Sequence, residues 1–143
     1  MARPDSLPTR LRGASLKIII LGAGQVGTSV AESLVSEAND ITVVDIDGAR
    51  LRQLQDRLDL RTVGGSAAHP SVLLSAGIED ADMLIAVTQS DETNLVACKI
   101  AAYLYNVPTR IARVRATEYL ANEQLFAPDC FAVDYAICPE QLI

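Results

Sequence analysis

The 143-residue sequence predicts an α/β fold, a Rossmann-like doubly wound parallel sheet of about six strands between two helical layers, three layers in all. Three observations carry that expectation. Short aliphatic or β-branched runs alternate with stretches of helical periodicity. The first run, residues 16–21, is an almost unbroken Ile/Leu series ended by glycine, as a strand buried on both faces reads. The connections between runs are too short for anything but right-handed crossovers.

Taken in order, residues 16–21 form the first strand. Residues 25–37 follow as a helix, with Val26, Val30 and Leu34 on one stripe. Ile41-Thr42-Val43-Val44 is a second strand ending at Asp45, and Asp47-Gly48 opens a helix that carries Leu51, Leu54 and Leu58. A third strand over 60–63 stops at Gly64-Gly65, and Pro70 suits the first turn of the next helix. Residues 83–87 make a fourth strand. Ser90 or Asp91 caps a long helix to about Tyr105, and Pro108 closes the connection. Residues 111–114 form a fifth strand, 117–126 a helix and 131–133 a sixth strand.

Composition narrows the function classes. The chain is half apolar with a formal charge of −6, which disfavours nucleic acid as a partner because phosphate backbones call for a dense basic face. The first fifteen residues hold three arginines, two prolines and no periodicity, and read as a leader or disordered arm. Without them the balance is −8 for residues 16–143, one domain with no linker or repeat. No apolar run approaches the roughly 18 residues of a membrane span. Three cysteines, no CxxC pair and a single His leave neither a disulfide framework nor a zinc site, and fit a reducing cytoplasm.

The first strand-to-helix turn carries most of the information. Gly22-Ala23-Gly24-Gln25-Val26-Gly27 fits G-x-G-x-x-G. Gly22 allows the tight turn, Gly24 a close backbone approach to a pyrophosphate, and Gly27 close packing of helix on strand. The helix N-terminus offers amide hydrogens and partial positive charge to phosphates. Asp45, 18 residues after Gly27, ends the second strand where a carboxylate accepts both hydroxyls of an adenosine ribose. Ile46 and Asp47 add no cation for a 2′-phosphate, so NAD or NADH is favoured over the phosphorylated dinucleotide; Arg50, three residues into the helix, is expected in solvent. ATP and ADP, which also carry a free ribose diol, stay open as ligands of the same site.

Three more strand ends fall on the sheet's carboxyl edge. Ser66 and Ala67 are small enough to close over an adenosine or simply to end a strand. Thr88 and Gln89 face the nucleotide across the cleft, while Asp91 suits a plain helix cap. Arg113 and Arg115 straddle Val114, so period two points both to one side; an Arg there contacts a pyrophosphate or pairs with a carboxylate.

At this point a resemblance becomes specific. The runs Lys17 to Gly27, Asn39 to Asp45, Asp80-Ala81-Asp82-Met83-Leu84, Ala86-Val87-Thr88, Ser90-Asp91-Glu92-Thr93-Asn94, Arg110 to Arg115 and Pro139-Glu140-Gln141-Leu142 resemble the N-terminal domains of Trk-type potassium-uptake regulators, the regulator-of-potassium-conductance (RCK, or KTN) family. The likeness spans residues 16–143. It implies a cytoplasmic regulatory subunit, peripheral on the inner face of the membrane. Such a subunit responds to NAD(H) and to ATP or ADP, and docks on a potassium-translocating membrane subunit. It also implies a homodimer or higher homo-oligomer, with apolar faces on the last helix and around 126–137 as the expected contact, and further subdomains after residue 143. By position the nucleotide contacts are Gly22, Ala23, Gly24, Gln25, Val26, Asp45, Thr88, Gln89 and Arg113, with Ser66 and Ala67 as neighbours.

The alternative is a nucleotide-binding fragment of an NAD-dependent oxidoreductase, which needs a proton-transfer group beside the nicotinamide. His69 opens a helix as an exposed residue, and Lys99 with Tyr103 reads as a surface pair. No catalytic residue is expected, and the chain is read as a non-enzyme.

Overall fold

The structure, a computed structural model, describes residues 16–139; the expected leader over 1–15 and the closing 140–143 lie outside the described residues. Six strands form one sheet: β1 (Lys17–Leu21), β2 (Asp40–Asp45), β3 (Arg61–Gly64), β4 (Met83–Ala86), β5 (Thr109–Arg113) and β6 (Tyr135–Ile137). Between them run α1 (Gln25–Val35), α2 (Gly48–Arg57), α3 (Pro70–Ser75), α4 (Asp91–Tyr105) and α5 (Thr117–Leu120), with 3-10 turns at Ile78–Asp80 and Glu123–Phe126. The order is β3-β2-β1-β4-β5-β6 and every pairing is parallel. The Rossmann-like sheet expected from the alternation is the one found.

β1 lies at the centre because beyond Lys17 it has no polar residue to show to water. Ile18, Ile19, Ile20 and Leu21 are each at most 1% exposed. Ile18 and Ile20 face a cluster with Ile41, Val43, Ala31 of α1 and Leu51 and Leu54 of α2. Ile19 and Leu21 face the opposite cluster, with Leu84, Leu73 of α3 and Leu95, Cys98 and Ala101 of α4. Each such side chain contributes about 2 kcal/mol by leaving water, so the strand's burial, split between two layers, ties both helical layers to one element.

The helix ends follow from local chemistry. Asp47 caps α2, accepting from the amides of Ala49 and Arg50. Ser90, rather than Asp91, caps α4 through the Thr93 amide. Asn106 takes the left-handed conformation (φ 52°) that closes α4, and the Val107 amide reaches back to the Ala101 carbonyl.

Two expected elements are displaced. Residues 131–133 are not a strand: Ala132 has φ 59°, and the amides of Phe131, Ala132 and Val133 donate backwards to Leu125, Ala127 and Phe126. Their apolar side chains plug the core beneath β5, and the sixth strand follows at Tyr135–Ile137, paired with β5 from Ile111 to Arg113. The helix expected over 117–126 breaks after one turn. Asn122 donates its side-chain amide to the Glu118 carbonyl, the partner an α-helical amide would otherwise take. In the same region Tyr119, Leu120, Phe126 and Phe131 pack on the chain's own core, so the apolar face expected there is largely used internally. The large apolar side chains left exposed include Tyr135 on β6 and Val96, Tyr103 and Leu104 on α4.

Candidate functional site

The chain order reverses beside β1: β2 and β3 lie on one side, β4 to β6 on the other. The loops leaving the carboxyl ends of β1 and β4 therefore part in opposite directions and leave a crevice. A cleft of about 420 Å³ opens there, within the range of ligand pockets.

Its floor is the glycine loop. Gly22 has φ +111°, and a Cβ on it would stand 2.9 Å from the Val87 carbonyl oxygen, so β1 and β4 approach this closely only with glycine. A Cβ on Gly27 would stand 1.8 Å from the Gly22 carbonyl oxygen, which fixes α1 against the strand end. Gly24 is different. A Cβ there would meet only Arg50 Nη1, at 3.7 Å, and otherwise open cleft. The protein's own packing asks for no glycine at 24, and its absent side chain leaves bare backbone facing the cleft. No side chain caps α1, and its first turn holds no acid, whereas α2 and α4 both carry side-chain caps.

Asp45 stands at the end of β2, half-buried. Its Oδ2 accepts from the Ala23 amide at 2.6 Å and its Oδ1 from the Asp47 amide at 2.7 Å. A carboxylate has about four acceptor positions, so two stay available to hydroxyl donors while the amides hold the group in place.

Across the crevice the wall is built around Asn94, fully buried on α4. Its Oδ1 accepts from the Thr88 amide (3.0 Å) and hydroxyl (2.7 Å), and its Nδ2 donates to the carbonyls of Thr88 (3.1 Å) and Arg113 (2.9 Å). One side chain thus binds the ends of β4 and β5 together. Asp91, 8% exposed, does the same for the next loop, accepting from the amides of Arg115 and Ala116.

Of the expected contacts, Gly22, Gly24, Gln25, Val26, Asp45, Ser66, Ala67, Thr88, Gln89 and Arg113 line this one cleft. Ala23 and Gly27 do not. Ala23 is 5% exposed in the core under the loop and takes part through its amide on Asp45, and Gly27 is a packing residue. Arg115 also departs from expectation. The strand stops at Arg113, Asp91 captures the amides of Arg115 and Ala116, and the Arg115 guanidinium donates to the Gln89 carbonyl at 2.6 Å. Arg50, expected in solvent, lines the cleft while half-exposed. Its signal was its place one turn into a helix that starts beside the glycine loop. The signal for Asn94 was a polar residue on the stripe of Cys98 and Ala101. Among the described residues, His69, Lys99 and the tyrosines stand outside the cleft, and Lys99 lies over the Tyr103 ring at 5.4 Å.

A doubly wound parallel sheet with a glycine loop and a strand-end carboxylate at its switch point defines a Rossmann-like domain. The chain belongs to the TrkA-N domain family, which matches residues 18–139. It is 59% identical over 128 residues to the Trk system potassium uptake protein TrkA of Halomonas elongata, and 58% identical over 129 residues to that of Vibrio alginolyticus. In both comparisons 90% of this chain is covered, and the chain spans 28% of the relative's length. Among solved structures, the TrkA-N domain of the Escherichia coli inner membrane protein ybaL superposes with a TM-score of 0.77 at 20% identity, covering 89% of this chain and 90% of that one. The GsuK channel bound to NAD gives 0.71 at 21% identity, over 92% and 22%. GsuK bound to ADP gives 0.70 at 20% identity, over 87% and 31%.

Proposed function

We propose that this chain is the nucleotide-sensing domain, over residues 16–143, of a cytoplasmic regulatory subunit of potassium uptake. The subunit sits on the inner face of the membrane and acts through a Trk-type potassium-translocating membrane subunit. NAD or NADH is the ligand, with ATP or ADP as alternatives in the same cleft. The observation that carries the reading is one crevice joining an uncapped helix N-terminus, an open Gly24, a pre-oriented Asp45 and the cation of Arg113. The names of the TrkA relatives support the potassium-uptake role, and the NAD- and ADP-bound GsuK structures support the ligand class.

In this reading Asp45 accepts the ribose hydroxyls, and the amides at the start of α1 meet the phosphates together with Arg113. Thr88 and Gln89 form the opposite wall; Ser66 and Ala67 lie beside the adenosine. The output is conformational. Copies of the domain associate, and a nucleotide shifts their relative orientation by its differential affinity for the two arrangements. In this reading the domain is a non-enzyme that binds its ligand without turnover; among the described residues, the charged side chains lining the cleft are Asp45, Arg50 and Arg113.

Calorimetry with NADH, NAD, NADPH, ATP and ADP tests the assignment. Asp45→Ala is expected to weaken NADH by about tenfold or more, the loss of charge-assisted hydrogen bonds to two hydroxyls. Unchanged binding in that variant sinks the ribose assignment, and hydride transfer from NADH to a small carbonyl overturns the non-enzymatic role.

A further inference from the structure

Arg50 is the cleft residue that the site as described leaves without a task. It sits one turn into α2, on the opposite side of the glycine loop from Arg113, and lines both the cleft and a more open groove between α1 and α2. Its Nη1 lies 3.7 Å from where a Cβ on Gly24 would stand, so a group resting on the Gly24 backbone meets this guanidinium first. Its ion pair is loose. Nε is 3.6 Å from Asp47 Oδ2, the longest of the arginine ion pairs described, against 2.9 Å for Arg61 with Asp40 and 3.1 Å for Arg57 with Glu32. Both partners are about half exposed. Asp47 is fixed by its other oxygen, which accepts from the amides of Ala49 and Arg50. The carboxylate stays in place while the long side chain is able to exchange it for a stronger anion, since exposed pairs of this kind are weak.

We infer that Arg50 is the phosphate-reading cation on the open side of the cleft, held by Asp47 until a nucleoside 5′-phosphate resting on Gly24 replaces that carboxylate. The inference rests on the reading of the cleft as a nucleotide site. The 5′ position follows from Gly24, because Nη1 of the guanidinium stands over that residue of the glycine loop. Arg50 therefore distinguishes phosphorylated ligands from bare adenosine, and Asp47 sets how strongly it does so.

The test is calorimetry on the 143-residue chain with ADP, 2′-AMP and adenosine, after thermal melts establish that each variant is folded. Arg50→Gln is expected to weaken ADP about tenfold and to leave adenosine within about twofold, with Arg50→Lys in between because it keeps charge without the fork. Asp47→Asn keeps the helix cap and frees the guanidinium, so ADP is expected to tighten about threefold. That gain should vanish in the Arg50→Gln background. Equal loss for ADP and adenosine, no loss for either, loss for 2′-AMP alone, or a gain from Asp47→Asn that survives without Arg50 each overturns the inference. If Asp45→Ala abolishes ADP binding while Arg50→Gln leaves it intact, the nucleotide site stands and this role for Arg50 falls. A wild-type chain that binds none of the three overturns both.

Discussion

Gly24 and Gly27 are three residues apart in one motif, yet a methyl group has opposite consequences at the two. At Gly27 it overlaps a backbone oxygen at 1.8 Å, and backbone has nowhere to go. Gly27→Ala is expected to cost about 3 kcal/mol, read as a lowered midpoint in thermal or urea unfolding. At Gly24 the methyl enters open cleft, so Gly24→Ala should unfold within about 0.5 kcal/mol of wild type. Its NADH affinity should fall roughly tenfold, because the phosphate is held off the helix N-terminus. Equal loss of stability in the two variants would contradict the division of labour. Cys98 makes a separate prediction. Burial pushes its thiol up to about 12 from the ordinary 9.0, against the pull of nearby Arg110. Between those values the unfolded chain has lost a proton that the folded chain keeps, so stability falls as pH rises through that window. Cys98→Ala should flatten this alkaline slope in denaturant melts, and a thiol reagent at pH 8 should spare Cys98 until the chain unfolds.

At the scale of elements, the joint between β4, α4 and β5 depends on Asn94. Truncation to Ala leaves the Thr88 amide and the Arg113 carbonyl without this partner inside the protein. Asn94→Ala is expected to cost about 3 kcal/mol, a drop of about 10 °C in the melting temperature, and to weaken nucleotide binding by loosening the β4–β5 wall of the cleft. A melt within about 2 °C of wild type would show that the stitch is redundant. This joint also marks where sequence patterning stops being readable. β1 was legible because a strand covered on both faces must be apolar throughout, and the glycine loop because its spacing is dictated by backbone geometry. β6 was not. As an edge strand it needs little apolar character, and Tyr135 is 63% exposed, while the more apolar Phe131 to Val133 fold back as a plug. Arg50 was misread for a related reason. Helical position tells which turn a side chain leaves from, but not that a loop 26 residues earlier in the chain passes within its reach.

At the scale of the whole molecule, β1 is the strand through which the two halves of the sheet are joined. β2 and β3 reach it from one side, β4 from the other, with Ile18 paired to both Ile41 and Met83. A chain ended at Asp80 keeps β1 to β3 and α1 to α3, but leaves the second edge of β1 unpaired and strips the Ile19–Leu21 face of its cover by α4. Such a piece is expected to lack a cooperative unfolding transition by circular dichroism, and a sharp melt from it would show that the first half is an independent unit. The same central placement imposes a timetable during synthesis. Leu21 is made 92 residues before Arg113, the last residue lining the cleft among those described. At ribosomal speed that is roughly 5–20 s. For that interval the most aliphatic strand of the protein waits with an unpaired edge, and the pocket that would reward folding with a bound ligand does not yet exist. The nascent chain is thus most vulnerable to sticking to its neighbours before its cleft exists to be filled.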